Sequence, residues 1–193
     1  SRDYMEGVVA MLARHELRVA AMENVSPNFW SDILLDGPRK AEQMAGMKQL
    51  VRDAGAAGIP VIGYNFSLAG VWGWRRKRLA RGGAMTAVFA VADIDADSPI
   101  PDGMVGNMRY RPAVDGAPPE TVDDATLWAR LEWFLRELVP VAEEAGVRLA
   151  AHPDDPPLET LRGHARLVNR PAKYRRLLDL VPSSANALEF CQG

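Results

Sequence analysis

The sequence predicts an α/β fold built on parallel strands, and three observations carry that expectation. Helical and strand-like segments alternate along the chain, and twice a glycine parts an apolar helix from an apolar strand, at Gly58 and Gly146. Each strand-like run is short and stops at a polar residue: Glu23, Asn65, His152 and Cys191. Turn-forming Pro, Asn, Asp and Gly residues follow those stops. In a parallel sheet such ends lie on one face, where α/β enzymes build their sites. An open doubly wound sheet and a β/α (TIM-type) barrel both meet this description. No Gly-x-Gly-x-x-Gly follows a strand and no Gly-x-x-x-x-Gly-Lys occurs, which argues against the nucleotide-binding versions.

The elements follow in order. Residues 4–17 carry Val8, Val9, Leu12 and Leu17 at helical spacing, and His15 rides on that helix as a structural residue. Residues 17–23 read as a strand ending at Glu23. Residues 24–37 read as an ordered loop, with Pro27, Asn28, Asp32 and Gly37 among large apolar side chains. Pro38 can open a helix that runs to Ala57, burying Met44, Met47, Leu50, Val51 and Ala54, with Gly58 as its cap. Residues 59–65 form the next strand.

Residues 66–120 read as one long loop, a length more often functional than accidental. It holds Trp72, Trp74 and the basic run Arg75-Arg76-Lys77-Arg78. That run reads as a solvated face. Phe66, Trp72, Trp74 and Phe89 can close over a site or simply pack the loop down.

The clearest helix spans 121–145. Thr121 and Asp124 suggest a capping box, and Leu127, Leu131, Phe134, Leu135, Leu138, Val141 and Ala142 form one apolar face. Pro140 is expected to kink or break it. A strand over 147–152 ends at His152, and Pro153 and Pro156-Pro157 stop anything regular beyond. His164 reads as a surface residue. A helix from Pro171 to about Val181 and a strand over 186–191 close the chain.

Composition bounds the rest. The 193 residues are 48% hydrophobic and 25% charged, enough for one sizeable core and one domain over 1–193. The net charge of -2 gives no support for nucleic-acid or anionic-membrane binding. No apolar run reaches the roughly 18 residues of a spanning helix, and no signal peptide is visible. A single cysteine, Cys191, permits no intrachain disulfide and points to the cytoplasm. Four strands are half of what a closed barrel needs, in typically about 250 residues. The chain is therefore expected to be either an open sheet or a piece of a barrel.

The chemistry gathers at Leu149-Ala150-Ala151-His152-Pro153-Asp154-Asp155-Pro156-Pro157. His152 and Cys191 end successive strands, and parallel neighbours lie about 4.8 Å apart, so both side chains can reach one ion. Imidazole and thiolate suit a divalent transition metal. A core cysteine beside an unrelated active-site histidine is the alternative. Asp154 and Asp155 can orient ligands, bind substrate hydroxyls, or cap the turn, and orienting ligands or capping the turn is favoured over direct catalysis. Arg81 and Arg166 can clamp a substrate carboxylate or simply face water. Asn65, Tyr64 and Glu23 can reach a substrate from their strand ends.

That nine-residue string, Tyr64-Asn65-Phe66 and Glu189-Phe190-Cys191-Gln192-Gly193 resemble, in order, the motifs of the mannonate dehydratase family. The resemblance covers most of the chain, more loosely from Val71 to Glu120. It implies a β/α barrel of the xylose-isomerase type, only part of which this chain holds, with strands missing at both ends. It implies a lyase of hexuronate breakdown that removes water from D-mannonate, giving 2-dehydro-3-deoxy-D-gluconate, with Mn2+ or Fe2+. His152 and Cys191 match two of the family's metal ligands. Its other two, a histidine and an aspartate, and a tyrosine implicated with that aspartate, belong to later strands and have no counterpart before Gly193. The family's Trp-x-Arg-Thr continuation is changed here to Trp72-Gly73-Trp74-Arg75. A small sugar acid is the expected partner, and a homo-oligomer is left open. The alternatives are another metal-dependent sugar or sugar-acid isomerase or lyase of this barrel type, and a non-catalytic fragment.

Overall fold

The computed structural model describes residues 1–115 and 121–191. Glu120, the last residue of the expected long loop, and the Gln192-Gly193 end of the final motif lie outside the described residues.

Helix α1 spans Arg2–Ala13 and buries only Met5. It ends earlier than the expected 17, so His15 sits exposed in the turn that follows rather than on the helix. The expected strand over 17–23 shrinks to one parallel bridge, Met22 to Ile62. The loop over 24–37 is more regular than its turn residues suggest. It holds a 3-10 turn at Pro27–Phe29 and a short helix α2 at Ser31–Leu35. Gln43 pins both: its side-chain oxygen accepts from the Asp32 and Ile33 backbone N–H groups, and its amide donates to the Asn28 carbonyl. Helix α3, Lys40–Ala56, buries Met44, Met47, Val51 and Ala54 as its spacing requires. Gly58 follows at φ +77°, the left-handed conformation that a helix stop favours.

Strand β1 is Val61–Tyr64. The long expected loop is not structureless. Strands β2, Trp74–Lys77, and β3, Thr86–Phe89, pair as an antiparallel hairpin, and β4, Met104–Val105, pairs with β5, Met108–Arg109. The basic run lies on β2, with Arg75 and Arg76 exposed and Lys77 paired to Asp93. Of the aromatic residues, Phe66 is buried against Phe134, and Trp72 lies under the Arg162 guanidinium at 3.9 Å. Trp74 stays half exposed.

Helix α4, Asp124–Ala145, starts two residues after where a Thr121 cap would put it. Asp123 is its cap, accepting a hydrogen bond from the Thr126 N–H. Pro140 does not break it. Pro140 and Arg136 both lie on the solvent face, so the carbonyl that loses its partner can be hydrated. The opposite face buries Leu127, Leu131, Leu135 and Leu138 completely, and Gly146 at φ +68° ends the helix. Strand β6 is Arg148–Ala151. After it, β7, Thr160–Leu161, and β8, His164–Ala165, form a two-residue-per-strand hairpin. His164 is therefore not a surface residue: it is 3% exposed. Helix α5, Pro171–Leu180, leads to β9, Asn186–Leu188, three residues shorter than expected at its C-terminal end.

The main sheet has the order β1-β6-β9, all parallel, with Met22 bridged to the outer edge of β1. The four expected strand positions thus stand side by side in chain order. Helices α3 and α4 pack together beside this sheet, and their apolar faces form a large part of the core. The chain is α/β, as the alternation predicts.

Candidate functional site

Because β1, β6 and β9 are parallel, the residues that follow them emerge on one side. Asn65, His152 and Glu189, with Glu23 after the Met22 bridge, line a cavity of about 340 Å³. Asp155, Ser67 and Gly70 add to its wall, and Trp30, Ile62, Phe66 and Phe134 give it an apolar side. Three carboxylates and one imidazole face it. Among the described residues no lysine or arginine does.

The register explains which side chains meet. Ala151 pairs with Leu188, and the Glu189 N–H donates to the Ala151 carbonyl at 2.9 Å. The next residues, His152 and Glu189, therefore face each other, and Cys191 falls two residues further on. His152 Nδ1 lies 2.7 Å from the Pro153 carbonyl oxygen. A carbonyl can only accept, so this contact puts the ring proton on Nδ1 and leaves the Nε2 lone pair free. Nε2 lies 3.9 Å from Glu189 Oε1.

Gly63 makes room for the carboxylates. A Cβ there would sit 2.6 Å from Glu23 Cγ and 3.0 Å from Glu189 Oε2, so both side chains lie over the bare strand. Burial, and then the Glu23 carboxylate, push the Glu189 carboxyl above its ordinary pKa, while His152 opposes them. Behind the wall, burial pushes the Tyr174 hydroxyl up to about 12, helped by Asp154, Glu189, Cys191 and Asp155. The Tyr64 and Tyr174 hydroxyls and Asp155 Oδ1 are buried with no hydrogen-bond partner among the described residues.

The residues singled out in the sequence part into two groups. Asn65, His152 and Asp155 reach the cavity wall, as do Glu23 and Tyr64. Asp154 does not. It is 3% exposed, its Oδ2 accepts from the Val168 N–H at 2.8 Å, and its own N–H donates to the Val168 carbonyl, which is a turn-pinning role. Arg166 is fully buried behind the wall, held by Ser67, Gly70 and Asp155. Arg81 is exposed in the turn between β2 and β3 and is not part of the wall. Cys191 is half-buried, forms no disulfide and does not line the cavity. Glu189 is the residue that sequence reasoning passed over. Its signal was its place directly after the short apolar run of β9, where His152 stands after β6.

Comparison with known proteins follows the same lines. The family model for D-mannonate dehydratase (UxuA) matches residues 4–193. The chain belongs to the D-mannonate dehydratase family. It is 29% identical over 194 residues to mannonate dehydratase of Streptococcus pneumoniae (strain 70585), covering 95% of this chain and 51% of that protein. Against mannonate dehydratase 1 of Halalkalibacterium halodurans it is 32% identical over 199 residues, covering 93% of this chain and 53% of the relative. The crystal structure of mannonate dehydratase from Streptococcus suis serotype 2 superposes with a TM-score of 0.77 at 29% identity, over 97% of this chain and 50% of that one. The chain thus spans about half the length of the curated dehydratases it matches.

Within the dehydratase family fold, the donor set can be tested for a metal. The His152 tautomer suits a ligand, because the second ring nitrogen is fixed by a carbonyl as metal-bound imidazoles usually are. Cys191 adds a thiol on the neighbouring strand's continuation. Among the described residues no group of three or more His, Cys, Asp or Glu side chains is arranged to hold an ion. Of the two, His152 lines the cavity and Cys191 lies outside its lining.

Proposed function

We propose that the protein is a metal-dependent lyase that dehydrates D-mannonate to 2-dehydro-3-deoxy-D-gluconate. The observation that carries this reading is the family match along residues 4–193, joined to a strand-end histidine whose Nε2 faces a carboxylate-lined cavity. The four strand positions run side by side without the reversal of order that defines a doubly wound sheet. That supports reading the chain as an arc of a xylose-isomerase-type β/α barrel.

His152 and Cys191 would hold a Mn2+ or Fe2+ ion, which when bound supplies positive charge and Lewis acidity toward substrate oxygens. The remaining roles belong to side chains of this chain. Asn65, Glu23 and Glu189 offer hydrogen-bond partners to the hydroxyls of a sugar acid. Glu189, with its carboxyl raised by burial and by Glu23, is suited to carry a proton close to His152. Phe66, Phe134 and Trp30 keep water off one side of the cavity. Asp155 orients the turn after His152. Arg166 supports the wall, and Arg81 takes no part. The reading puts the enzyme in the cytoplasm with a small sugar acid as its partner.

The test is turnover of D-mannonate by the full-length protein, stripped of metal and then supplied with Mn2+ or Fe2+. The 2-dehydro-3-deoxy acid is expected to form only after metal is restored. His152→Ala and Cys191→Ser are each expected to lower bound metal and abolish turnover. Turnover confined to other aldonates sinks the substrate, and unchanged metal content in both variants sinks the ligand assignment.

A further inference from the structure

Arg166 has no exposed surface, and no part of it lines the cavity. Yet its guanidinium binds three residues that do. One terminal nitrogen donates to Ser67 Oγ at 3.1 Å and to the Gly70 carbonyl at 2.7 Å. The other donates to the Asp155 carbonyl at 2.8 Å. Its Nε faces Asp154 Oδ1 at 3.6 Å, so the buried charge has a counter-charge. Ser67 and Gly70 lie in the loop after β1, and Asp154 and Asp155 in the turn after β6 and His152. Strand pairing between β1 and β6 stops at Tyr64 and Ala151. Past that point Arg166 ties the two loops to one rigid plane.

We infer that Arg166 is the positioning residue of the site: it fixes the loop after β1 and the turn after His152 relative to each other, and so sets the shape of the cavity between them. Its fork geometry matters as much as its charge. Three acceptors on two loops need donors spread over a planar group, and a lysine offers its donors from a single point. A lysine at 166 keeps the ion pair with Asp154 but cannot reach both loops.

The experiment compares Arg166→Lys with the unaltered full-length protein by amide hydrogen exchange, thermal unfolding and steady-state kinetics on D-mannonate. Exchange, read amide by amide, is expected to accelerate in 66–71 and at Asp154 and Asp155, which carry the N–H groups of the proline-rich turn 153–157, with α3 and α4 unchanged. On the dehydratase reading, kcat falls roughly 10- to 100-fold, the scale of an ångström-sized misplacement, while KM changes about threefold or less. Faster exchange in only one segment, or in neither, overturns the inference, and so does an unchanged kcat with both loops loosened. If Arg166→Lys does not fold, Ser67→Ala removes the one side-chain acceptor of the clamp. It is expected to speed exchange in both segments by a smaller factor, and no change there overturns the inference as well. Absence of turnover in the unaltered protein refutes the dehydratase reading instead, and the exchange comparison then decides the clamp by itself.

Discussion

Gly63→Ala separates stability from chemistry at the cavity. The new methyl would lie 2.6 Å from Glu23 Cγ, whereas carbon atoms rest about 3.5–4.0 Å apart, so the Glu23 side chain must retreat by about 1 Å. The methyl also stands 3.0 Å from Glu189 Oε2, the far end of a side chain that can swing. The backbone itself does not object, because Gly63 is not among the residues with positive φ. Two terms then oppose each other. Alanine within a strand gains about 0.5–1 kcal/mol over glycine, and forcing a side chain off its rotamer costs about 0.5–1.5 kcal/mol. The net change is within about 1 kcal/mol, which moves the melting temperature by no more than about 2–4 °C in a chain this size. The carboxylates, however, are pushed away from their place beside His152. A displacement of about 1 Å is enough to lower kcat roughly 100-fold. On the proposed dehydratase reading, the assay pairs a thermal melt with kcat on D-mannonate in the full-length, metal-supplied protein. A kcat within about twofold of the unaltered enzyme refutes the role given to the two carboxylates. A fall in melting temperature beyond about 10 °C refutes the claim that the methyl meets only soft neighbours.

Two other predictions concern the fold. Gly46→Ala and Gly55→Ala lie on the same helix, α3, but a Cβ at 46 meets nothing within 4 Å, while one at 55 would stand 3.0 Å from Ala145 Cβ and nearer still to the Ala145 carbonyl oxygen. Urea titration is expected to find the first variant stabilised by about 0.5–1 kcal/mol and the second destabilised by about 1–2 kcal/mol, helix propensity offsetting only part of the overpacking; equal effects would refute the close approach of α3 to α4. His164 is buried and its pKa is lowered, first by burial and then by Arg162, so the unfolded chain binds its proton more readily than the folded one. Stability from this group is present above its ordinary pKa of 6.5 and lost as pH falls below it, by at most about 1.4 kcal/mol per pH unit, and His164→Phe should flatten urea midpoints between pH 7.5 and 5.5 relative to the parent.

What the sequence made legible is what local rules determine. Helix α4 could be read from its apolar face and Gly146, and the strand ends could be read from the polar residues that follow short apolar runs. The N-cap shifted from Thr121 to Asp123 because two residues two positions apart satisfy the same capping rule and only geometry chooses between them. Pro140 leaves α4 unbroken because one missing hydrogen bond on a hydrated face costs less than the buried opposite face returns. The burial of His164 and Arg166 was not legible. The strand that holds His164 and ends just before Arg166 is two residues long, too short for any period, and the partners of Arg166 lie 99 and 96 residues earlier in the chain. Glu189 was overlooked for a different reason. Attention to Cys191 as a ligand type hid the register, which sets the glutamate opposite His152.

The distribution of charge at the site follows from that same division between strand and loop. Parallel strands of three or four residues end their pairing at Tyr64, Ala151 and Leu188; backbone bonds to the Tyr64 and Ala151 carbonyls still tie in His152 and Glu189, but among the described residues no ladder bond of this sheet holds the loops further on. Buried ions and hydrogen bonds must do so instead. Asp154 closes a pair of backbone bonds with Val168, Arg166 joins the loops after β1 and β6, and Asn169 donates to the Leu158 carbonyl. Arg166, bonded to three residues of the wall, is thereby committed to scaffolding, and the wall presents Glu23, Asp155 and Glu189 with no positive side chain among the described residues. A wall of that sign repels an anionic substrate unless a bound cation outweighs it. Catalysis on a sugar acid in this cavity should therefore depend on metal for binding as well as for chemistry, and substrate affinity in the stripped protein should recover when Glu23 is changed to Gln. Affinity that is already unchanged by metal removal would show that some other group balances the charge.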